Sequence, residues 1–311
     1  MSTEPERPWR PGATLSLVLA VSVAMVWGST WVVIKLGLRD LPPLIGAGLR
    51  FLLAGAVMAV LAAWLGRAEG GAPPARSLVV AHGLCQFAGN YGIVYFGETL
   101  LPSGLVSVLW SVFPLFMGLF GHFWLKSERL SARQWMGLFV AFAGIVLLFA
   151  TDVRAISVDA LAVGALVLLA PLSVALSTTL IKQRGAGMSS LLLNRDAMLL
   201  GAALLMAAGF SFERAEQIRW TGLAIGSIVY LALVGTVFTF GVYMWLLRFV
   251  PAVRLSLISY VSPLFALLLG ALVADEPVGV TTFVGAAVVL GGVGLSRLRW
   301  PERRPRRPTS P

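Results

Sequence analysis

Residues 108–125 read VLWSVFPLFMGLFGHFWL, and residues 257–274 read LISYVSPLFALLLGALVA. Each is an apolar run with V-x-P-L-F near its centre, and each has a glycine seven residues after the proline. The first continues into KSERL and the second into DEPVG. A bilayer-spanning helix needs about 20 mostly apolar residues, so each stretch reads as one membrane span. The same proline-bearing span written twice points to a duplicated unit. The basic ending of one copy and the acidic ending of the other point to opposite directions through the membrane.

The composition agrees. Of 311 residues, 58% are hydrophobic and 12% charged, with mean hydropathy +0.87; a soluble domain carries about 25% charge. The single Cys85 excludes an internal disulfide and a cysteine-based metal site, and no metal or cofactor is expected. The net charge of +10 sits between and beyond apolar runs, so it speaks to orientation, and no nucleic-acid partner is expected.

Ten runs have spanning character: 14–35, 43–65, 78–97, 103–125, 135–150, 160–181, 190–211, 221–247, 252–274 and 278–297. Of the 24 Lys and Arg residues, Arg50 and Arg195 fall inside runs. If the N-terminus is cytoplasmic, only Lys35, Arg39, Arg154, Arg214 and Arg219 fall outside, and the remaining 17 fall inside. Both termini are therefore expected in the cytoplasm by the positive-inside rule. The basic tail RLRWPERRPRRPTSP reads as a topology anchor.

Sliding the chain by 149 residues lays Gly92 on Gly241, Pro102 on Pro251, Ser107 on Ser256, Pro114 on Pro263 and Gly121 on Gly270. After a one-residue slip, Glu128 falls on Glu276, Gly137 on Gly285 and Gly144 on Gly292. The first two helices of each half match weakly, although Arg50 and Arg195 fall at similar places. A unit of five helices is odd, so its second copy enters the membrane upside down. The expected fold is an all-α polytopic membrane protein of ten transmembrane helices in two inverted five-helix repeats. Residues 1–13 form a cytoplasmic tail, 14–150 and 160–297 the repeats, and 298–311 a basic tail. Inverted repeats give two quasi-equivalent states, one open to each side, with a solute site near the midplane. The competing reading is a duplication kept for packing alone.

Three stretches carry a family resemblance: WGSTWVVIK (27–35) with LPPLIGAGLRFLLAG (41–55), NYGIVYFGETLLPSGLVSVLWSVFPLF (90–116) with ERLSARQWMGLFVAFAGIVLL (128–148), and the run from VGTVFTFGVYMWLL through VSPLF to LGGVGL (234–295). They resemble the EamA-type members of the drug/metabolite transporter superfamily. That resemblance implies a ten-helix inner-membrane carrier, often an exporter of amino acids or related metabolites. Small multidrug carriers of the superfamily use a mid-membrane carboxylate in helix 1. Here that helix offers Trp27, Gly28, Ser29 and Thr30 instead, which argues against a cationic-drug antiporter of that type.

The candidate pathway follows from polar and kinked positions at mid-membrane depth. Pro114 and Pro263 free the carbonyls of Trp110 and Ser259, which need a cavity or a protein partner. Gln86 and Asn90 share a helical face, with Tyr91 and Tyr95 on a neighbouring one. Thr236, Thr239 and Tyr243 share a face later in the chain, where Thr239 is the repeat partner of Asn90. Trp110 and Ser111 match Ser259 and Tyr260 before the two prolines. With Trp27 and Thr30, these groups offer hydrogen bonds and aromatic walls to a small solute; the bland alternative is interhelical glue. Arg50 and Arg195 would attract a carboxylate at either mouth, or else snorkel, with Asp196 as a local partner for Arg195. Lys35 reads as interfacial. Glu98 reads as solvated at the outer end of its helix, or facing Arg50. His82 and His122 read as packed or interfacial.

The function expected is secondary transport of a small amino-acid-like, zwitterionic or anionic metabolite, by export. A multidrug exporter of the same fold, or a non-transporting receptor or scaffold, is the alternative. The partners expected are the solute and the bilayer. A homodimer is open: the glycine-rich GAAVVLGGVGL (285–295) and AAGF (207–210) permit close packing within or between chains. No H-E-x-x-H or G-x-S-x-G is present, so no enzyme is expected.

Overall fold

The computed structural model describes residues 11–101, 103–125, 128–148, 158–273 and 280–297. Pro102, Lys126, Glu276, the DEPVG stretch, residues 1–10 and the basic tail from 298 lie outside the described residues. Among the described residues, ten helices occupy the ten expected runs. Six are continuous: α1 (Ala13–Gly37), α2 (Pro43–Glu69), α5 (Ala132–Leu148), α6 (Val158–Arg184), α7 (Ser190–Phe212) and α10 (Val280–Arg297). The other four are interrupted. In α3, Arg76–His82 and Asn90–Leu100 flank the π-helical turn Gly83–Gly89. In α8, Gly222–Ala232 and Thr239–Leu247 flank the π-helical turn Leu233–Phe238. α4 breaks between Ser103–Trp110 and Phe113–Trp124, and α9 between Ala252–Ser256 and Ile258–Val273.

Five stretches are individually long and apolar enough to cross a membrane: Ala13–Gly37, Pro43–Gly66, Ala162–Arg184, Ser190–Phe212 and Gly222–Leu247. Large apolar side chains such as Leu52, Val60, Phe139, Phe210 and Leu290 stand exposed around the bundle. In water this would be a liability; against lipid it is the expected surface. Exposed aromatics gather at helix ends, Phe212 and Trp220 at one end of the bundle and Trp64, Phe123 and Trp124 at the other. There their rings suit the headgroup level.

The two ends are tied by contacts that mirror each other. Leu44 and Ile45, at the start of α2, donate their backbone N–H groups to Glu213, just beyond α7, at 2.7 and 3.0 Å. Reciprocally, Ser190 and Leu191 at the start of α7 donate to Glu69 at the end of α2, at 2.8 and 3.3 Å. α2 and α7 therefore run antiparallel, each capped by a carboxylate from the other. Helix starts leave orphan N–H groups and a partial positive charge, and a carboxylate satisfies both. Loops follow the same scheme: Ala72 N–H donates to Gly187 O at 2.8 Å, and Arg219 N–H to Asp40 O at 2.9 Å. Lys35, closing α1, donates to the carbonyls of Glu98 and Leu101 at the end of α3, and Lys182, closing α6, donates to those of Leu247 and Val250 at the end of α8.

Glu128, just ahead of α5, would suit the positive start of that helix by sequence position alone. It does not serve its own helix, α5, which starts with a Ser131–Gln134 capping box. Instead it accepts from Ala252 and Val253 at the start of α9, at 3.0 and 3.1 Å.

The last pair, α5 and α10, meets along glycines. A Cβ on Gly292 would lie 2.3 Å from Ala141 N and 2.7 Å from Gly137 O, and one on Gly144 would lie 3.0 Å from Gly285 O. Gly209 of the AAGF stretch is likewise spent within the chain, against Ile45. Gly291 and Gly294 meet nothing within 4 Å among the described residues. Gly292→Ala should therefore lower thermal stability in detergent sharply, while Gly291→Ala should leave it within about 0.5 kcal/mol of wild type. Glu213→Ala and Glu69→Ala should each cost about 1–2 kcal/mol, the range for a lost cap.

Candidate solute cavity

The two π turns occupy equivalent places in α3 and α8. A π turn inserts one residue into the helix and leaves its carbonyls poorly used, a device found often at functional sites. Each turn is braced from outside. Ser173 of α6 donates to Cys85 O at 2.9 Å, and Arg50 of α2 donates to Gly235 O at 3.3 Å and to Thr236 Oγ1 at 2.9 Å. The turns place Gln86, Asn90, Thr239 and Tyr243 about the centre of the bundle.

A cavity opens there, walled by α1, α3, α4, α6, α8 and α9. Its aromatic walls are Trp27, Trp31, Tyr91, Trp110, Phe113, Phe240 and Tyr243, and its polar groups come from Thr30, Gln86, Asn90, Ser107, Ser111, Ser259 and Ser262. Among the described residues, no charged side chain lines it. It is narrow: about 50 Å³ admits the centre of a water-sized sphere, where one water needs roughly 10–15 Å³. A larger solute enters only as the walls part.

Two indoles are pinned at repeat-related positions. Trp110 Nε1 donates to Asn90 Oδ1 at 2.8 Å, and Trp27 Nε1 donates to Thr239 Oγ1 at 3.0 Å. Trp31 meets Trp110 edge-on at 6.4 Å between centroids, and Trp27 leans on Tyr243 at 5.5 Å. The carbonyl freed by Pro263 has a partner: Ser111 Oγ approaches Ser259 O at 3.4 Å, joining the two broken helices. The hydroxyls of Tyr243, Ser259 and Ser262 are buried and have no hydrogen-bond partner among the described residues.

Of the residues expected along a pathway, Trp27, Thr30, Gln86, Asn90, Trp110, Tyr243, Ser259 and Pro263 come together around the cavity. Thr239 stands behind it as the acceptor for Trp27. Pro114 is buried beside the lining residue Phe113. Tyr260 turns elsewhere: it is fully buried and donates to Leu138 O of α5 at 3.0 Å, because its ring fills a second core cluster between α5, α9 and α10. Tyr95 borders a separate small void with Ile34 and Ser227.

Arg50 is not at a mouth. It is 1% exposed, its guanidinium lies over the rings of Tyr91 and Phe51, and it holds the π turn of α8. Arg195 pairs locally with Asp196 at 2.6 Å and is one-third exposed. Glu98 is not solvated; it is 0% exposed. His82 is packed, its Nδ1 2.8 Å from Ser177 Oγ, and His122 Nδ1 accepts from Leu130 N–H. Sequence reasoning missed Trp31, Phe240 and Ser262 in the lining, and both π turns.

An all-helical membrane bundle with a central, uncharged, aromatic and hydroxyl-lined cavity defines a transporter-type protein. The comparisons with known proteins place it further. The model of the EamA-like transporter family matches twice, at residues 14–150 and 162–298. The chain is 29% identical to the uncharacterized transporter YoaV of Bacillus subtilis, over 91% of this chain and 97% of that one. It is 30% identical to the uncharacterized inner membrane transporter YedA of Escherichia coli K12, over 88% of each. It is also 30% identical to a probable amino-acid metabolite efflux pump of Escherichia coli K12, over 91% of this chain and 95% of that one. A crystal structure matches with TM-score 0.76 at 18% identity, covering 92% of this chain and 97% of the other, and so shares the fold. The chain belongs to the EamA-like transporter family.

The indole pins generate a direct test. A double-mutant cycle on Trp110→Phe and Asn90→Leu should show about 1 kcal/mol of coupling in thermal unfolding, because either single change strands a buried polar partner.

Proposed function

We propose that this protein is a secondary carrier that exports a small amino-acid-like metabolite across the inner membrane by alternating access, with both termini in the cytoplasm. In this orientation the Lys35 end of the bundle is external and the Lys182 end cytoplasmic. The reading rests on one observation above others: an uncharged cavity whose hydroxyls of Tyr243, Ser259 and Ser262 stand without partners between tryptophan walls. Such a lining suits a compact solute with an apolar body and polar ends. It favours a zwitterion, whose charges cancel, over a free anion, since Arg50 is spent on α8. The efflux pump among the relatives supports an amino-acid-like class.

Alternating access draws support from the mirrored contacts. The Glu69–α7 and Glu213–α2 caps, the two lysine caps and the two π turns each relate one repeat to the other with the ends exchanged. An inverted repeat has this property, and exchanging the conformations of its halves opens the cavity to the other side. The aromatic walls also favour a second reading, export of flat apolar compounds.

Liposomes holding the purified protein, loaded with a panel of labelled L-amino acids and of aromatic drugs, separate these readings. Protein-dependent efflux of amino acids is expected, reduced at least tenfold in Trp27→Ala and Ser259→Ala/Ser262→Ala. Efflux of drugs alone supports the second reading, and efflux of neither sinks the carrier reading for that panel.

A further inference from the structure

Glu98 is out of keeping with its surroundings. Asp40, Glu69, Glu128 and Glu213 each hold hydrogen-bond or ion-pair partners. Glu98 is 0% exposed, and neither of its carboxyl oxygens has a hydrogen-bond partner among the described residues. An ionised carboxylate without water or hydrogen bonds is the costly form, so such a group persists neutral or finds a counter-charge.

The repeat shows that the carboxyl group is not there to hold the fold. Glu98 O accepts from Lys35 in the first repeat, and Leu247 O accepts from Lys182 in the second. The backbone role is the same, and the second copy performs it with leucine. The acid is thus an addition peculiar to the first repeat.

The charged and titratable neighbours are few. Lys35 approaches from α1, Arg50 from α2, and Tyr95 from α3 itself. From α6, the group packed at this level against Gly97 is the apolar Val167. Neither cation forms an ion pair with Glu98 among the described residues. Arg50 instead reaches to α8, and its Nη1 is buried without a partner. Two fixed positive charges nearby disfavour a metal cation as the occupant and leave the proton.

We propose that Glu98 is the proton-binding residue of this carrier, and that its proton and Arg50 are linked. The inference rests on the transport reading above. When Glu98 is protonated, Arg50 is free to hold the π turn of α8, as observed. When Glu98 ionises, it draws Arg50 and its unpartnered Nη1 toward α3 and loosens that turn. Because α8 carries Thr239, the acceptor for Trp27, and α3 carries Asn90, the acceptor for Trp110, the switch moves both pinned walls. Exchange of one proton inward for one solute outward balances the cycle: Glu98 takes H⁺ on the outer side and releases it on the inner. With a zwitterionic solute, one positive charge moves inward per turnover, so a membrane potential and a pH gradient both drive export.

The site is tested without knowledge of the solute by infrared difference spectra of the full chain in lipid between acid and alkaline pH. A carboxylic-acid C=O band that titrates in wild type and is lost in Glu98→Gln is expected. Glu98→Leu, which copies Leu247, should fold as wild type and also lack the band. Absence of the band in wild type, or its persistence in Glu98→Gln, overturns the proposal. In liposomes, an acid-outside gradient should accelerate efflux of the panel amino acids in wild type but not in Glu98→Gln. If acceleration persists in a well-folded Glu98→Gln, Glu98 is not the coupling residue. If no panel solute moves, the transport reading fails for that panel while the infrared result still decides whether Glu98 binds a proton.

Discussion

The first turns of α2, α7 and α9 carry backbone N–H groups that have no partner within their own helices. Left unpaired, such groups weaken a helix start, and a lost cap costs about 1–2 kcal/mol. Here carboxylates from other helices meet the need: Glu213 for α2, Glu69 for α7 and Glu128 for α9. The rest of the bundle depends on these caps. The first two lock α2 and α7 side by side and antiparallel. Arg50 on α2 is thereby placed to hold the π turn of α8. The third joins the α4–α5 connection of the first repeat to the start of α9, whose proline faces the cavity.

Much of this was legible in the sequence. The ten apolar runs became ten helices, and the duplicated V-x-P-L-F runs became the two broken helices facing each other through Ser111 and Ser259. Matching Asn90 with Thr239 was informative, because both became acceptors for an indole. What escaped had physical causes. A single slide of 149 residues suits the later helices of each repeat, whereas Lys35 and Lys182 are 147 apart, and Ile45 and Leu191 are 146 apart. The matching caps were therefore hidden by short gaps in the loops. On that register Arg50 corresponds to Asp196, not Arg195, so the expected symmetric pair of arginines was a one-residue misalignment. The π turns left no sequence signal, since an inserted residue in an apolar run does not disturb its apolarity. Tyr260 reads like a pathway residue by depth, yet its ring is needed to fill the space between α5 and α10.

The symmetric parts of the structure and the asymmetric ones divide the labour. Carboxylate caps, lysine caps and π turns recur in both halves. The cavity is built where the halves meet, and no charged side chain lines it among the described residues. Charge sits one layer behind, where Arg50 and Glu98 occur in the first repeat alone. In the proposed mechanism the fold supplies the motion, and that layer selects what drives it.

The central claim is that the second repeat lies inverted relative to the first. Arg39 and Ala186 are exposed, stand at the same point after α1 and α6, and occupy opposite ends of the bundle. With Cys85 replaced by serine, Arg39→Cys and Ala186→Cys can each be treated with a membrane-impermeant maleimide in sealed right-side-out vesicles. With the second repeat inverted, Arg39→Cys should be labelled in intact vesicles and Ala186→Cys only after permeabilisation. Labelling of both from the same side would contradict it.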